Sequence, residues 1–186
     1  HKPVGIVSAQ PEPGQVPAVR LLTRANFWDG RPRGLDGKEG VTVPGRQSRL
    51  APVGRLDRDS RGLLILSEDG VVAKAVIGPA STLEKEYLVA VTGEITERKL
   101  TLLRHGLTLD GRALKPARVT RIGPGRLRFV LSEGRNRQIR RVCDLVELAV
   151  TDLLRIRIGP ITLADLPEGR WRPLTPAERA ALIGGG

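Results

Sequence analysis

Cysteine and histidine are nearly missing from this chain, with one Cys and two His among 186 residues. A lone thiol excludes an internal disulfide and a Cys-rich zinc site, and His1 and His105 are too few for a histidine-based metal centre, so no metal is expected. A reducing compartment is the simplest reading of such cysteine usage. Methionine is absent even at position 1, which leads us to expect a piece of a longer gene product, with any targeting peptide removed. No uninterrupted apolar run approaches the ~20 residues of a membrane span, so a soluble protein with no membrane association is expected. Aromatics are also scarce, at two Phe, two Trp and one Tyr. No other phenol can stand in for Tyr87.

Positive charge is abundant. Thirty-one Lys and Arg against 20 Asp and Glu leave a net charge of +11, with a pI near 11.1. A soluble protein rarely carries so much self-repulsion without a polyanionic partner, and nucleic acid is the leading candidate. The charge is concentrated, because Arg112 to Arg141 holds ten Lys and Arg against the single acid Glu133.

A hydrophobic fraction of 40 % with 22 Gly and 14 Pro reads as a turn-rich α+β protein, long enough for one substantial domain or two small halves sharing a core. Alternation from Lys2 to Ser8 predicts a first strand, followed by a Pro/Gly-punctuated loop through Pro17. Residues 24–50 read as a long basic loop with at most a short hairpin near Val41 to Val43, either an RNA contact or an insertion. The apolar run from Gly62 to Leu66 predicts one buried strand. Asp69 to Ile77 predicts a helix with Val71, Val72, Ala75 and Val76 on one face, and Lys85 to Val91 predicts a strand. Thr96 is placed to cap a helix through Arg104, with Leu100 and Leu103 inward. Val119 to Ser132 reads as two strands about Gly123-Pro124-Gly125, with Arg126 and Arg128 on one basic face. Residues 136–147 predict a helix with Ile139, Val142, Cys143 and Val146 inward and Arg137, Arg140 and Arg141 outward. Cys143 is then a core residue and no nucleophile. Thr175-Pro176-Ala177-Glu178 is a capping box that opens a last helix.

The segment GRLDRDSRGLLILSEDG, residues 54–70, sets Asp57 between Arg55 and Arg58 just ahead of an apolar run. Nearby cations favour an ionised carboxylate, available as nucleophile or base. The residues alone equally allow Asp57 or Asp59 to cap a turn, with Arg58 and Arg61 as solvated charge.

This segment resembles motif II of the pseudouridine synthases, and in its detail the RsuA/RluB/RluE/RluF family that modifies ribosomal RNA, closest to its RluF/RluE-like members. Four further stretches follow in the family's order: KPVGIVS (residues 2–8) resembles motif I, KEY (85–87) the K-x-Y motif, and SEGRNRQIRRVCD (132–144) motif III. LLRIRIGPITLADLPEGRWRPLT (153–175) resembles the terminal pattern. His1 ahead of KPxG, the long 24–50 segment, and Glu147-Leu148-Ala149 after motif III depart from it.

The resemblance implies a catalytic domain over residues 1–186, with two mixed, largely antiparallel sheets, flanking short helices and a central active-site cleft. An S4-type module, frequent ahead of this domain in the family, does not fall within these residues. Asp57 is implied as the catalytic aspartate, acting on ribose C1′ or on a sugar proton, and Tyr87 as the residue that stacks on uracil and assists the last deprotonation. Arg140 is implied as the ion-pair partner of Asp57, with Ile139 against the base and Arg55 at the pocket. Arg58, Arg135, Arg137 and Arg141 are candidate phosphate contacts, and Lys85 is either structural or a further one. No cofactor is implied. The partner would be ribosomal RNA, of the 23S type rather than the 16S type, met by a monomer associated with pre-ribosomal particles. The compartment would be the cytoplasm, or a mitochondrial or plastid matrix. The rival function is a non-catalytic RNA-binding or ribosome-assembly protein on the same scaffold.

Overall fold

The computed structural model describes residues 1–30, 42–45 and 48–185. Short 3-10 turns at Ala18–Leu21 and Arg24–Asn26 precede β1 (Ala51–Val53), β2 (Arg61–Gly62), β3 (Ile65–Ser67) and α1 (Gly70–Ile77). Next come β4 (Lys85–Thr92), α2 (Glu97–Arg104), β5 (Thr108–Leu109), β6 (Arg112–Ala113), β7 (Arg118–Gly123) and β8 (Arg126–Leu131). The chain closes with α3 (Gln138–Leu145), β9 (Ala149–Ile158), β10 (Ile161–Thr162) and α4 (Pro176–Gly184).

The architecture is the expected largely antiparallel α+β one, with its strands unequally shared. A six-stranded sheet runs β10-β9-β4-β8-β7, with β2 added parallel to β9, and β1–β3 and β5–β6 form separate two-stranded ribbons. Two apolar cores form on this frame. Leu127, Phe129 and Leu131 of β8 pack with Leu100 and Leu103 of α2 and with Ile139, Val142 and Cys143 of α3. Val53, Ile65, Val72, Val76, Ile158, Ile161 and Leu182 form the second, between the β1–β3 ribbon, α1, α4 and the far end of β9. Cys143 has no exposed surface, and burial pushes its thiol up to about 12, as a core residue requires.

Elements announced by a cap fall where the sequence puts them. Thr96 accepts from Lys99 N at 3.2 Å, and Thr175 with Glu178 completes the capping box; Asp69, read from the sequence as the first residue of its helix, is its cap and accepts from Val71 N at 2.8 Å. The β7–β8 hairpin also forms as read, although Arg128 on its outer face pairs with Glu86. On α1 the buried residues are Val72 and Val76, while Val71 faces solvent.

Three segments differ from the sequence reading. Residues 2–8 make no strand; Gly5 turns the chain at φ +90°, and isolated bridges join Lys2 to Gly62 and Val7 to Pro17. Residues 62–66 are not one strand either, because β2 pairs with β9 whereas β3 turns to β1. The start of the 24–50 segment is held to the C-terminal part: Phe27 and Trp171 stack edge to face with centroids 5.3 Å apart, and Trp171 Nε1 donates to Thr23 O at 2.7 Å. Of the hairpin expected near Val41 to Val43, Val41 lies outside the described residues, and Thr42 and Val43 join no strand.

The break after β2 follows from a close approach. Gly62 has φ +117°, and a Cβ placed there would lie 2.3 Å from Arg155 O and 2.6 Å from Arg155 N. Only glycine lets β2 lie against β9. Gly62→Ala is therefore expected to destabilise the fold by about 3 kcal/mol, from left-handed strain plus overpacking. A drop in the urea unfolding midpoint would measure it, and an unchanged midpoint would contradict the packing described.

Candidate active site

The Asp57 turn lies between β1 and β2 and is bound from both sides by distant chain. Leu56 is buried, and its N–H and C=O bond the Ser8 hydroxyl at 2.9 and 2.7 Å. Ser60 N donates to Asp57 O at 3.1 Å, closing the turn, while Gly5 N donates to Arg58 O at 2.8 Å. Lys2 and Gly62 exchange backbone bonds of 2.8 and 2.9 Å. The N-terminal segment thus wraps the turn in place of forming a strand.

Under the turn sits the Lys2 ammonium, whose residue is only 1 % exposed. It donates to Pro3 O at 2.9 Å and Ile6 O at 2.6 Å. Burial lowers its pKa to about 8, outweighing the attraction of Asp57 and Asp59. Because this folded value lies below the ordinary 10.5, the unfolded chain binds more protons between about pH 8 and 10.5, and stability rises with pH across that window. Lys85 is shifted in the same direction by burial. Lys2→Met is expected to remove part of that rise, read from denaturant unfolding at pH 7.5 to 10.5; an unaltered slope would exclude Lys2 as its source.

From the other side come the arginines at the start of α3. The helix begins at Gln138, because Arg137 adopts the left-handed conformation with φ 48°. That backbone turn sends the Arg137 side chain toward the Asp57 turn, off the outer helix face on which periodicity placed it. Arg137 holds Asp59 through two 2.9 Å bonds and lies 3.6 Å from Asp57 Oδ2. Arg140, expected to pair with Asp57, instead donates to Asp59 O at 2.8 Å and Ser60 Oγ at 3.2 Å, with its Nε 3.4 Å from Asp59 Oδ2. The cation that pairs with Asp57 is therefore Arg137, and Arg140 braces the residues just after it. The Arg137 hydrogen bonds hold the Asp59 carboxyl below its usual range, and the Arg140 charge adds to this.

These groups border a cleft of about 590 Å³ between the two cores, lined by Asp57, Ser60, Tyr87, Ile139, Arg140 and Arg155 among others. Tyr87 is half-buried near the start of β4, packed against the first core, with Phe129 and Arg155 as its cross-strand neighbours. No group among the described residues hydrogen-bonds its hydroxyl. Ile139 and Arg140, about 100° apart on one helix, both reach the cleft. A second hollow of about 620 Å³ holds Val4, Gly5, Arg58 and Asp59, and shares Arg55, Asp57 and Arg137 with the first.

The structure divides the expected RNA-contact residues. Arg55 and Arg58 are exposed beside the turn, with Arg58 Nε 3.3 Å from Gly5 O. Lys85 is half-buried and donates to Val76 O at 3.2 Å, which is its structural reading. Arg135 donates to Leu109 O, Arg112 O and Ala113 O at 2.7 to 3.1 Å, clasping the β5–β6 ribbon. Arg141 forms a two-bond pair with Asp110 at 2.6 and 3.0 Å. A phosphate at Arg135 or Arg141 would have to displace these partners. Sequence reasoning missed Lys2, Asp59 and Arg155. All three stand inside quoted motifs, Arg155 in the terminal pattern of residues 153–175, but nothing in the sequence gave any of them a role in the site. Among the described residues no group of three or more His, Cys, Asp and Glu comes together to hold a metal ion.

An aspartate and a tyrosine thus line one cleft of a basic α+β domain. The chain belongs to the RNA pseudouridylate synthase family, whose model matches residues 1–145. Within it the chain falls in the RsuA/RluB/RluE/RluF group. It is 38 % identical over 178 residues to the dual-specificity RNA pseudouridine synthase RluF of Salmonella typhi, covering 96 % of this chain and 54 % of that protein. It is 37 % identical over 163 residues to the ribosomal large subunit pseudouridine synthase B of Yersinia pestis, covering 85 % of this chain and 50 % of that protein. The chain thus spans about half the length of these curated relatives. A crystal structure of a pseudouridylate synthase superimposes with a TM-score of 0.78 at 27 % identity, over 98 % of this chain and 71 % of that one.

Proposed function

We propose that this chain isomerises uridine to pseudouridine in ribosomal RNA. The observation that carries the reading is the joint presence of Asp57 and the sole tyrosine, Tyr87, on one cleft of about 590 Å³, within the range of roughly 300–1,000 Å³ usual for small-ligand sites. The reaction breaks the bond from uracil N1 to ribose C1′, turns the base and joins C5 to C1′; C5 loses its proton and the freed N1 ends with one. Asp57 acts at the sugar, Tyr87 stacks on the base and assists removal of that proton, and Ile139 packs against the ring. Arg137 places its charge 3.6 Å from the Asp57 carboxylate, and Arg140 braces Asp59 and Ser60 beside it.

The target uridine must leave its stack to enter the cleft, which costs a few kcal/mol unless the site is already single-stranded. Contacts of Arg55 and Arg58 with flanking phosphates offset that cost, and they make binding fall steeply with salt. Large-subunit rRNA is the favoured substrate, because a relative 37 % identical to the chain is named for the ribosomal large subunit. The test is tritium release from ribosomal RNA labelled at uracil C5, with the modified site mapped by chemical probing. Release at one large-subunit uridine is expected; salt-sensitive binding without release would favour a non-catalytic RNA-binding scaffold.

A further inference from the structure

Arg155 is a buried cation with no carboxylate in ion-pair range among the described residues. It stands in the middle of β9, is 4 % exposed, and lines the cleft with Asp57 and Tyr87. Its charged neighbours there include two further cations, Lys2 and Lys85. A guanidinium stays protonated at any ordinary pH, and burying it without a counter-charge is unfavourable for the fold. Its hydrogen bonds show what the burial achieves. Nε donates to Leu63 O at 2.8 Å and Nη1 to Arg55 O at 3.2 Å, while Nη2 has no hydrogen-bond partner among the described residues. Arg55 and Leu63 are the two shoulders of the Asp57 turn. The same residue's backbone receives Leu63 N at 2.8 Å and sits opposite Tyr87 across the β4–β9 ladder.

We propose that Arg155 is a positioning residue that clamps both shoulders of the Asp57 turn onto the strand beside Tyr87, and so sets the distance between the two catalytic groups. The proposal rests on the isomerase reading for its effect on rate, and on geometry alone for its effect on the turn. A fixed planar fork is what the task needs, because two carbonyls eight residues apart must be held at once from one side chain. A lysine offers a point charge on a flexible stem and cannot reproduce the fork.

The experiment compares wild type, Arg155→Lys and Arg155→Met by tritium release, RNA affinity, thermal midpoint and amide hydrogen exchange over residues 55–63. A small displacement of a catalytic group costs on the order of 100-fold in rate. A fall of that size in kcat is expected for both variants, with KM and RNA affinity within about threefold and exchange faster in residues 55–63 than elsewhere. Full kcat in either variant overturns the proposal, as does a loss that tracks global unfolding with uniformly faster exchange. If wild type itself shows no release, the isomerase reading fails. Exchange in the milder Lys variant then decides the clamp: acceleration confined to 55–63 supports it, and none overturns it.

Discussion

Asp57→Asn is expected to lower kcat for tritium release by about 10⁴-fold or more, with RNA affinity and thermal midpoint close to those of wild type. The second half of that expectation follows from the geometry. The Asp57 carboxylate makes no hydrogen bond among the described residues, and its nearest cation, Arg137, is 3.6 Å away. The two-bond hold of Arg137 goes to Asp59, and the turn is kept by backbone bonds and by Ser8, Arg140 and Arg155. An amide at position 57 leaves all of these in place. Only the reactive oxygen changes. Activity within tenfold of wild type would remove Asp57 from the mechanism, whatever its place in the motif.

Tyr87→Phe should lower kcat by about 10²- to 10⁴-fold, the usual contribution of a positioned acid or base, while leaving stability and RNA binding unchanged. The ring packs on the first core, so phenylalanine keeps that burial and any stacking on uracil. The hydroxyl supports nothing in the protein, since no group among the described residues hydrogen-bonds it. Its removal therefore isolates its role toward substrate. A variant that retained the full rate would confine Tyr87 to stacking and require another group to take the C5 proton.

Much of this site was readable before the fold was known, and the failures share one cause. Thr96 and the Thr175–Glu178 pair announced helix starts because a cap is a local bond, made within three residues of the cap. The inward face of α3 was equally local, fixed by the 3.6-residue period. The arginine that pairs with Asp57 was not. That assignment turns on the backbone of Arg137, a left-handed residue where a helical pattern seemed to continue. Residues 2–8 and 62–66 look like strands in isolation, yet Lys2 bridges Gly62, β2 pairs with β9 and β3 with β1, so alternation in the first and an apolar run in the second misassigned them. Arg155 was invisible for the same reason: its meaning lies in two carbonyls about 90 to 100 positions earlier in the chain.

That separation also fixes when, during synthesis, the site can exist. β9 is the strand partner of both β2 and β4, and it is made more than 90 residues after the Asp57 turn emerges. Until then the turn lacks Arg155, and β2 has no strand to pair with. A nascent chain that has produced every residue assigned to chemistry, from Asp57 through Tyr87 to Arg140, still has no working cleft. Contacts of such long range form slowly, so competence should arrive in one late step, as β9 threads between β2 and β4.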